Sequence, residues 1–217
     1  MRFAPVLVIL AFASPVLAQE PPPKIGPFVL DFHATVPRFP NDDGQLAASR
    51  GMSLAEMPGV GLGLQVGAHV YLFKWKAVTV GIGGEAAVGR STSSAIPTAT
   101  PPARASTETF KTIAPQLSLN FGSGHGWSYL SGGIGASTWS IVPDGSDPLP
   151  QDSERIRTVN YGGGARWFAK PHLAFSFDVR FYQLDPGSPY TDPTTGTPYP
   201  GSPRTTLLVI GAGISVK

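Results

Sequence analysis

The chain has 217 residues and a net charge of +2 that includes Arg2. Only 14% of its residues are charged, against about 25% in an ordinary soluble domain, and no basic run or basic–aromatic patch supports a nucleic-acid partner. Cysteine is absent, which removes disulfides, a thiolate nucleophile, thiolate metal ligands and a lipid-modified cysteine anchor.

The opening MRFAPVLVILAFASPVLAQ combines Arg2, an apolar run from Val6 to Ala13 and a small-residue cleavage site at Val16-Leu17-Ala18. These are the parts of a secretory signal over residues 1–18, and the run is short of the roughly 20 apolar residues of a spanning helix. Residues 19–24, QEPPPK, read as a short periplasmic leader with no core of its own. Everything from 25 to 217 reads as one domain.

Period-2 alternation predicts eight strands, at 25–37, 59–73, 77–90, 110–121, 127–140, 156–169, 173–184 and 205–216, with no helix period between them. In the second, PGVGLGLQVGAHVYLF is uncharged apart from His69, but its glycines at 59, 61, 63 and 67 favour a strand over a helix. In the fourth, Pro115 predicts a bulge, unless the strand begins after it. In the seventh, Leu173, Phe175, Phe177, Val179 and Phe181 alternate with Ala174, Ser176, Asp178 and Arg180.

The connections alternate in length. Lys74-Trp75-Lys76, GSGHG at 122–126 and Lys170-Pro171-His172 are short, while the other four are long and rich in turn formers, as in PTATPPARAS and DPGSPYTDPTTGTPYPGSP. Short periplasmic turns, long extracellular loops and an even strand number describe an up-and-down outer-membrane barrel. The expected fold is therefore all-β, an eight-stranded antiparallel transmembrane barrel.

One strand face carries no charge. The other carries Asp31, His33, Gln65, His69, Glu85, Gln116, Asn120, Asn160, Arg166, Asp178 and Arg180 among many glycines. An eight-stranded barrel has a lumen just wide enough to be filled by side chains, and glycine leaves room for large ones. Buried charges need partners, so a lumenal network of Asp31, Glu85, Arg166, Asp178 and Arg180 is expected. If Ala169 pairs with Leu173, Gly164 lies opposite Asp178 and Gly162 opposite Arg180, with Arg166 a diagonal neighbour of Asp178. An aromatic girdle is expected from Trp75, Trp127, Trp167 and Phe175 near the short turns, and from Trp139, Phe181 and Tyr182 toward the long loops. The alternative is a secreted, soluble, lipocalin-like ligand-binding barrel with the apolar face inward. Low charge and a glycine-dominated polar face weigh against it.

The stretches YGGGARWFAKPHLAFSFDVRFYQL and GWSYLSGGIGAS resemble the penultimate hairpin and a glycine-alternating strand of small bacterial outer-membrane barrels of the OmpA-like and OmpX-like type. The resemblance covers roughly residues 24–217 and is one of pattern. It implies insertion in the cell outer membrane of a Gram-negative-type bacterium as a monomer, with outer-membrane lipid and the barrel assembly machinery as partners. Two departures stand out: the last residue is Lys217 where such families usually end in an aromatic, and no peptidoglycan-binding domain follows.

Some small outer-membrane barrels are lipid-modifying enzymes or proteases, but no catalytic set emerges here. His125 and His172 fall in short turns, HGWS at 125–128 lies at the wrong end for outer-leaflet chemistry, and His33 and His69 point inward. Asp31 with His33, NDDG at 41–44 and DGSD at 144–147 lack full metal-ligand spacing. No catalytic residue, metal or cofactor is assigned. The expected role is structural or surface contact through the long loops, with narrow-pore or lateral transport of small molecules as the alternative.

Overall fold

Alternation becomes architecture in the computed structural model, which describes residues 24–217; the signal expected over 1–18 lies outside the described residues. The strands are β1 (Phe28–Arg38), β2 (Leu62–Trp75), β3 (Val78–Ser93), β4 (Ser106–Ser123), β5 (Gly126–Pro143), β6 (Ile156–Lys170), β7 (Leu173–Leu184), β8 (Tyr190–Thr191), β9 (Pro198–Tyr199) and β10 (Thr205–Val216). The short β8 and β9 pair only with each other. The eight long strands form a closed antiparallel barrel in which β10 returns to β1, from Leu30 opposite Val216 to Arg38 opposite Leu208. Closure leaves no sheet edge, which a lipid-embedded backbone requires.

The apolar face is the outer face. Phe175 is 67% exposed and Phe177 42%, whereas Ser176 between them is 4% exposed and Asp178, the next residue, 1%. β1 alternates without exception, exposed at Phe28, Leu30, Phe32, Ala34 and Val36 and buried at Val29, Asp31, His33, Thr35 and Pro37. This placement overturns the soluble lipocalin-like alternative, which would gather those rings at the centre.

All three short turns are tighter than expected. Trp75 pairs with Val78, Ser123 with Gly126 and Lys170 with Leu173, leaving Lys76-Ala77, Gly124-His125 and Pro171-His172 as two-residue links. At the opposite end β3, β4 and β5 run beyond their apolar stretches, to Ser93, Ser106 and Pro143, because the ladder continues and Ser93 Oγ meets Ser106 Oγ at 2.9 Å.

Three local irregularities differ from expectation. Leu72 is an extra residue in β2, since Tyr71 faces Gly81 but Phe73 faces Val80. One inserted residue reverses the parity beyond it, so Phe73 and Trp75 face outward although Gln65, His69 and Tyr71 on the same odd positions face in. A second bulge holds Ala169: Lys170, rather than Ala169, faces Leu173, yet Gly164 still faces Asp178 and Gly162 faces Arg180. Pro115 makes no bulge. β4 runs through it in unchanged register, Ile113 opposite Ala136 and Leu117 opposite Gly132, and only the pairing with β5 between those rungs lapses, as a residue without an N–H dictates.

The long connections are also more ordered than a turn-rich composition suggests. The link from β1 to β2 contains α1 (Gly44–Ser49) and a 3-10 turn at Leu54–Glu56. Asp43, one of the acids of NDDG at 41–44, is the helix N-cap, its carboxylate accepting from the backbone N–H of Gln45 at 2.9 Å and of Leu46 at 3.1 Å.

Candidate functional site

The lumen is built in layers by inward positions of all eight long strands. In the inner layer Arg166 of β6 reaches across to Asp31 of β1, Nε to Oδ1 at 2.8 Å and a terminal nitrogen to Oδ2 at 2.6 Å, while Ser215 Oγ donates to the same carboxylate at 2.5 Å. The guanidinium carbon lies 3.9 Å from the centre of the Tyr129 ring, whose hydroxyl donates to Asp178 at 2.6 Å. Arg166 thus pairs with Asp31, not with Asp178 as the hairpin register suggested. Asp178 is held instead by Arg180, two residues along its own strand, at 3.0 Å.

Arg180 joins this layer to the next. Its Nε lies 2.8 Å from Glu85 Oε2, and a terminal nitrogen donates to Ser131 at 2.9 Å. Glu85 also accepts from Gln65 at 2.8 Å, from Gln116 at 3.1 Å and from the Tyr182 hydroxyl. Asp31, Glu85, Arg166, Asp178 and Arg180 are all buried inside the wall, and each has an opposite charge within 3.0 Å. Glycine makes the fit possible: a Cβ on Gly164 would come within 2.0 Å of the Phe177 carbonyl oxygen and 2.8 Å of the Tyr129 hydroxyl.

Toward the long loops the lumen turns apolar. Phe110, Trp139, Ile141, Tyr182, Leu184, Leu207 and Val209 line it, and Phe39, Leu46, Ala47, Met52 and Met57 from the first long connection fill it from above. α1 is therefore a plug. Sequence reading missed this apolar layer, although Phe110, Leu207 and Val209 carried the signal as large apolar residues at lumenal parity. Glu108 sits within it, accepting from Trp139 Nε1 at 2.7 Å.

The four long connections lock over the plug. Arg50 after α1 lies 3.3 Å from Asp152 and donates to Gln151 at 3.0 Å, and Gln151 donates to the Ser188 carbonyl at 2.7 Å. Glu56 accepts from Arg104 Nε at 2.8 Å, and Arg104 donates to Ser146 at 2.9 Å. Burial pushes Glu56 up, but the Ser53 N–H and the Arg104 guanidinium outweigh it and hold the carboxyl at about 2, against 4.5 ordinarily.

The expected girdle divides. Trp75, Trp167 and Phe175 face outward near the short turns, and Phe181, stacked on Tyr161 at 5.4 Å, faces outward on the loop side. Trp127, Trp139 and Tyr182 are corrections: at 3%, 1% and 0% exposure they lie inside. Nearness to a strand end does not choose a side; parity does. Trp127 and Trp139 share the odd, lumenal positions of β5 with Tyr129, and Tyr182 shares the even ones of β7 with Asp178. Trp127 closes the inner mouth, stacked on Phe168 at 5.0 Å, with the Lys217 ammonium 3.8 Å from the Phe168 ring centre.

For chemistry the lumen offers little. His33 Nε2 lies 2.8 Å from Ser176 Oγ, a pair not foreseen from sequence, but Nδ1 has no partner among the described residues, so no carboxylate orients the ring. Asp31 is occupied by Arg166 and Ser215. Among the described residues no group of His, Asp and Glu could hold a metal ion.

The family model for the outer membrane protein beta-barrel domain matches residues 4–213. Neisserial surface protein A has a similar fold, with 12% identity, a TM-score of 0.53, and 88% of this chain and 97% of that one covered. Ail, the attachment invasion locus protein of Yersinia pestis, solved with the heparin analogue sucrose octasulfate, matches at 13% identity and TM-score 0.46 over 87% of this chain and 97% of that one. The outer membrane protein AlkL in lipid bilayers matches at 13% identity and TM-score 0.44 over 92% and 93%. No curated protein sequence matches significantly. At such identities the likeness is one of fold.

Proposed function

Because the chain belongs to the outer membrane protein beta-barrel domain family, we propose that its wall is a closed anchor in the outer membrane and that its four long connections act together as one surface-contact head. In this reading it works as a monomer, exported by the signal peptide at 1–18 and inserted by the barrel assembly machinery. The observation that carries it is the continuous chain of loop-to-loop contacts, Glu56–Arg104–Ser146, Arg50–Asp152 and Gln151–Ser188. A head so braced presents a fixed surface, and binding to a preorganised surface costs less ordering entropy than binding to free loops. The filled lumen beneath argues against conduction, and the unoriented His33–Ser176 pair against catalysis.

Two measurements test the proposal. Single-channel recording of the wild-type protein in planar bilayers should show no stepwise conductance; regular steps would contradict a closed anchor. Cells displaying the chain should bind a ligand on a glycan and matrix-protein array and lose it when residues 186–201 are replaced by a short Gly-Ser link; undiminished binding by the trimmed variant would defeat the surface-contact reading.

A further inference from the structure

We propose that the outer face of β2, β3 and β4 is a binding site for a single lipid of the outer leaflet whose headgroup carries a phosphate monoester. The inference is separate from the surface-contact proposal and needs only the barrel's outer-membrane setting.

The strand register stacks four outward rungs from the long-loop end toward mid-wall: Leu62 beside Arg90, then Leu64–Val88–Lys111, Val66–Ala86–Ile113 and Ala68–Gly84–Pro115. Small residues at Ala86, Gly84 and Ala68 recess the wall between larger ones. Three grooves lie along these rungs, the upper one partly polar and the lower two apolar. The uppermost, about 470 Å³, lies beside Arg90. The next, about 340 Å³, is floored by Ala86 and Val88 with Lys111 at its edge. The third, about 400 Å³, shares Val66 and Ala86 with the second and reaches Gly84. From residue 90 to residue 84 the strand advances roughly 20 Å at about 3.3 Å per residue. Tilted by about 40°, that spans roughly 15 Å of depth, half the hydrocarbon thickness and so one acyl chain of one leaflet.

The upper end of this trough is cationic. Arg90 and Lys111 are exposed and sit diagonally across the β3–β4 ladder, Arg90 opposite Thr109 and Lys111 opposite Val88, a spacing on the order of 7 Å. Among the described residues neither forms an ion pair. No carboxylate faces outward on these rungs; Glu85, beneath the third groove, turns its side chain into the lumen. Two adjacent cations above an apolar trough complement a doubly charged phosphate monoester better than the single charge of a phosphodiester. They stand at the long-loop end, which sets the lipid in the outer leaflet. By contrast the larger outward groove of about 860 Å³ at Gly132 and Gly163 is lined by no charged residue and lacks a headgroup anchor.

The test is retention of diphosphoryl lipid A by the full-length chain in detergent, read by native mass spectrometry, with phosphatidylglycerol and phosphatidylcholine as competing probes. The wild type should retain one diphosphoryl lipid A in preference to either phospholipid. Replacing both cations, Arg90→Gln with Lys111→Gln, should weaken retention on the order of 10- to 30-fold. Ala86→Phe, which fills the trough and keeps the charges, should weaken it too. Equal retention by wild type and the double variant, or phosphatidylglycerol held as tightly as lipid A, would overturn the proposal. Should a variant fail the unboiled-gel folding check, acetylation of Lys111 in the wild type decides: added lipid A should protect it, and unchanged labelling refutes the site.

Discussion

Asp31 illustrates how a charge is held inside the wall. Its partner Arg166 lies on β6, separated from β1 by β10 and β7 around the barrel, so the pair meets across the lumen. Removing one member strands the other, and Asp31→Ala should cost about 3–5 kcal/mol in a urea titration of the detergent-folded protein. Replacing both, Asp31→Leu with Arg166→Met, should cost distinctly less; an equal or larger loss would show that the pair does more than neutralise itself. Parity in the sequence told that both residues point inward, but not that they face each other. Period 2 fixes a side chain's direction, whereas its partner depends on barrel closure. For that reason the list of lumenal charges was legible and the Arg166–Asp31 pairing was not. Outside the membrane, the Ser53 N–H and the Arg104 guanidinium hold the Glu56 carboxyl low. Its folded value of about 2 lies below the ordinary 4.5, so its contribution is full above about pH 4.5 and fades as pH falls toward 2. Amide-exchange protection of Ser53 and Arg104 should follow that curve in the wild type and stay flat in Glu56→Gln.

Among the elements, β2 and β6 are the strands in which a bulge breaks simple alternation. The extra Leu72 turns Phe73 and Trp75 outward at the short-turn end, so a tryptophan expected to face outward does so through a bulge that alternation cannot reveal. Trp127 on β5 has no such bulge and stays inside. Pro115 interrupts hydrogen bonding to β5 while leaving the register intact. Pro115→Val should restore that pairing, stabilise the barrel by roughly 0.5–1.5 kcal/mol and slow amide exchange at Ile134, which the register sets opposite 115; unchanged exchange would show that the gap has another cause. α1 was hidden because six residues of helix are too few to show a period, and its stability comes from the Asp43 cap and from burial of Leu46 and Ala47 beneath the loops.

For the whole molecule, the wall works as a boundary between hydrocarbon outside and a packed, partly ionic interior. Phe177→Arg should cost about 2–4 kcal/mol if the position is near the bilayer midplane and lower the yield of the heat-modifiable folded form. The most direct test exploits the absence of cysteine, which allows single-cysteine spin labels along β7 in lipid bilayers. Labels at 175, 177 and 179 should collide freely with oxygen and be shielded from a water-soluble nickel chelate, while a label at 176 should be immobile and reached poorly by either. Chelate access at 177 with oxygen access peaking at 176 would mean that the wall faces the other way.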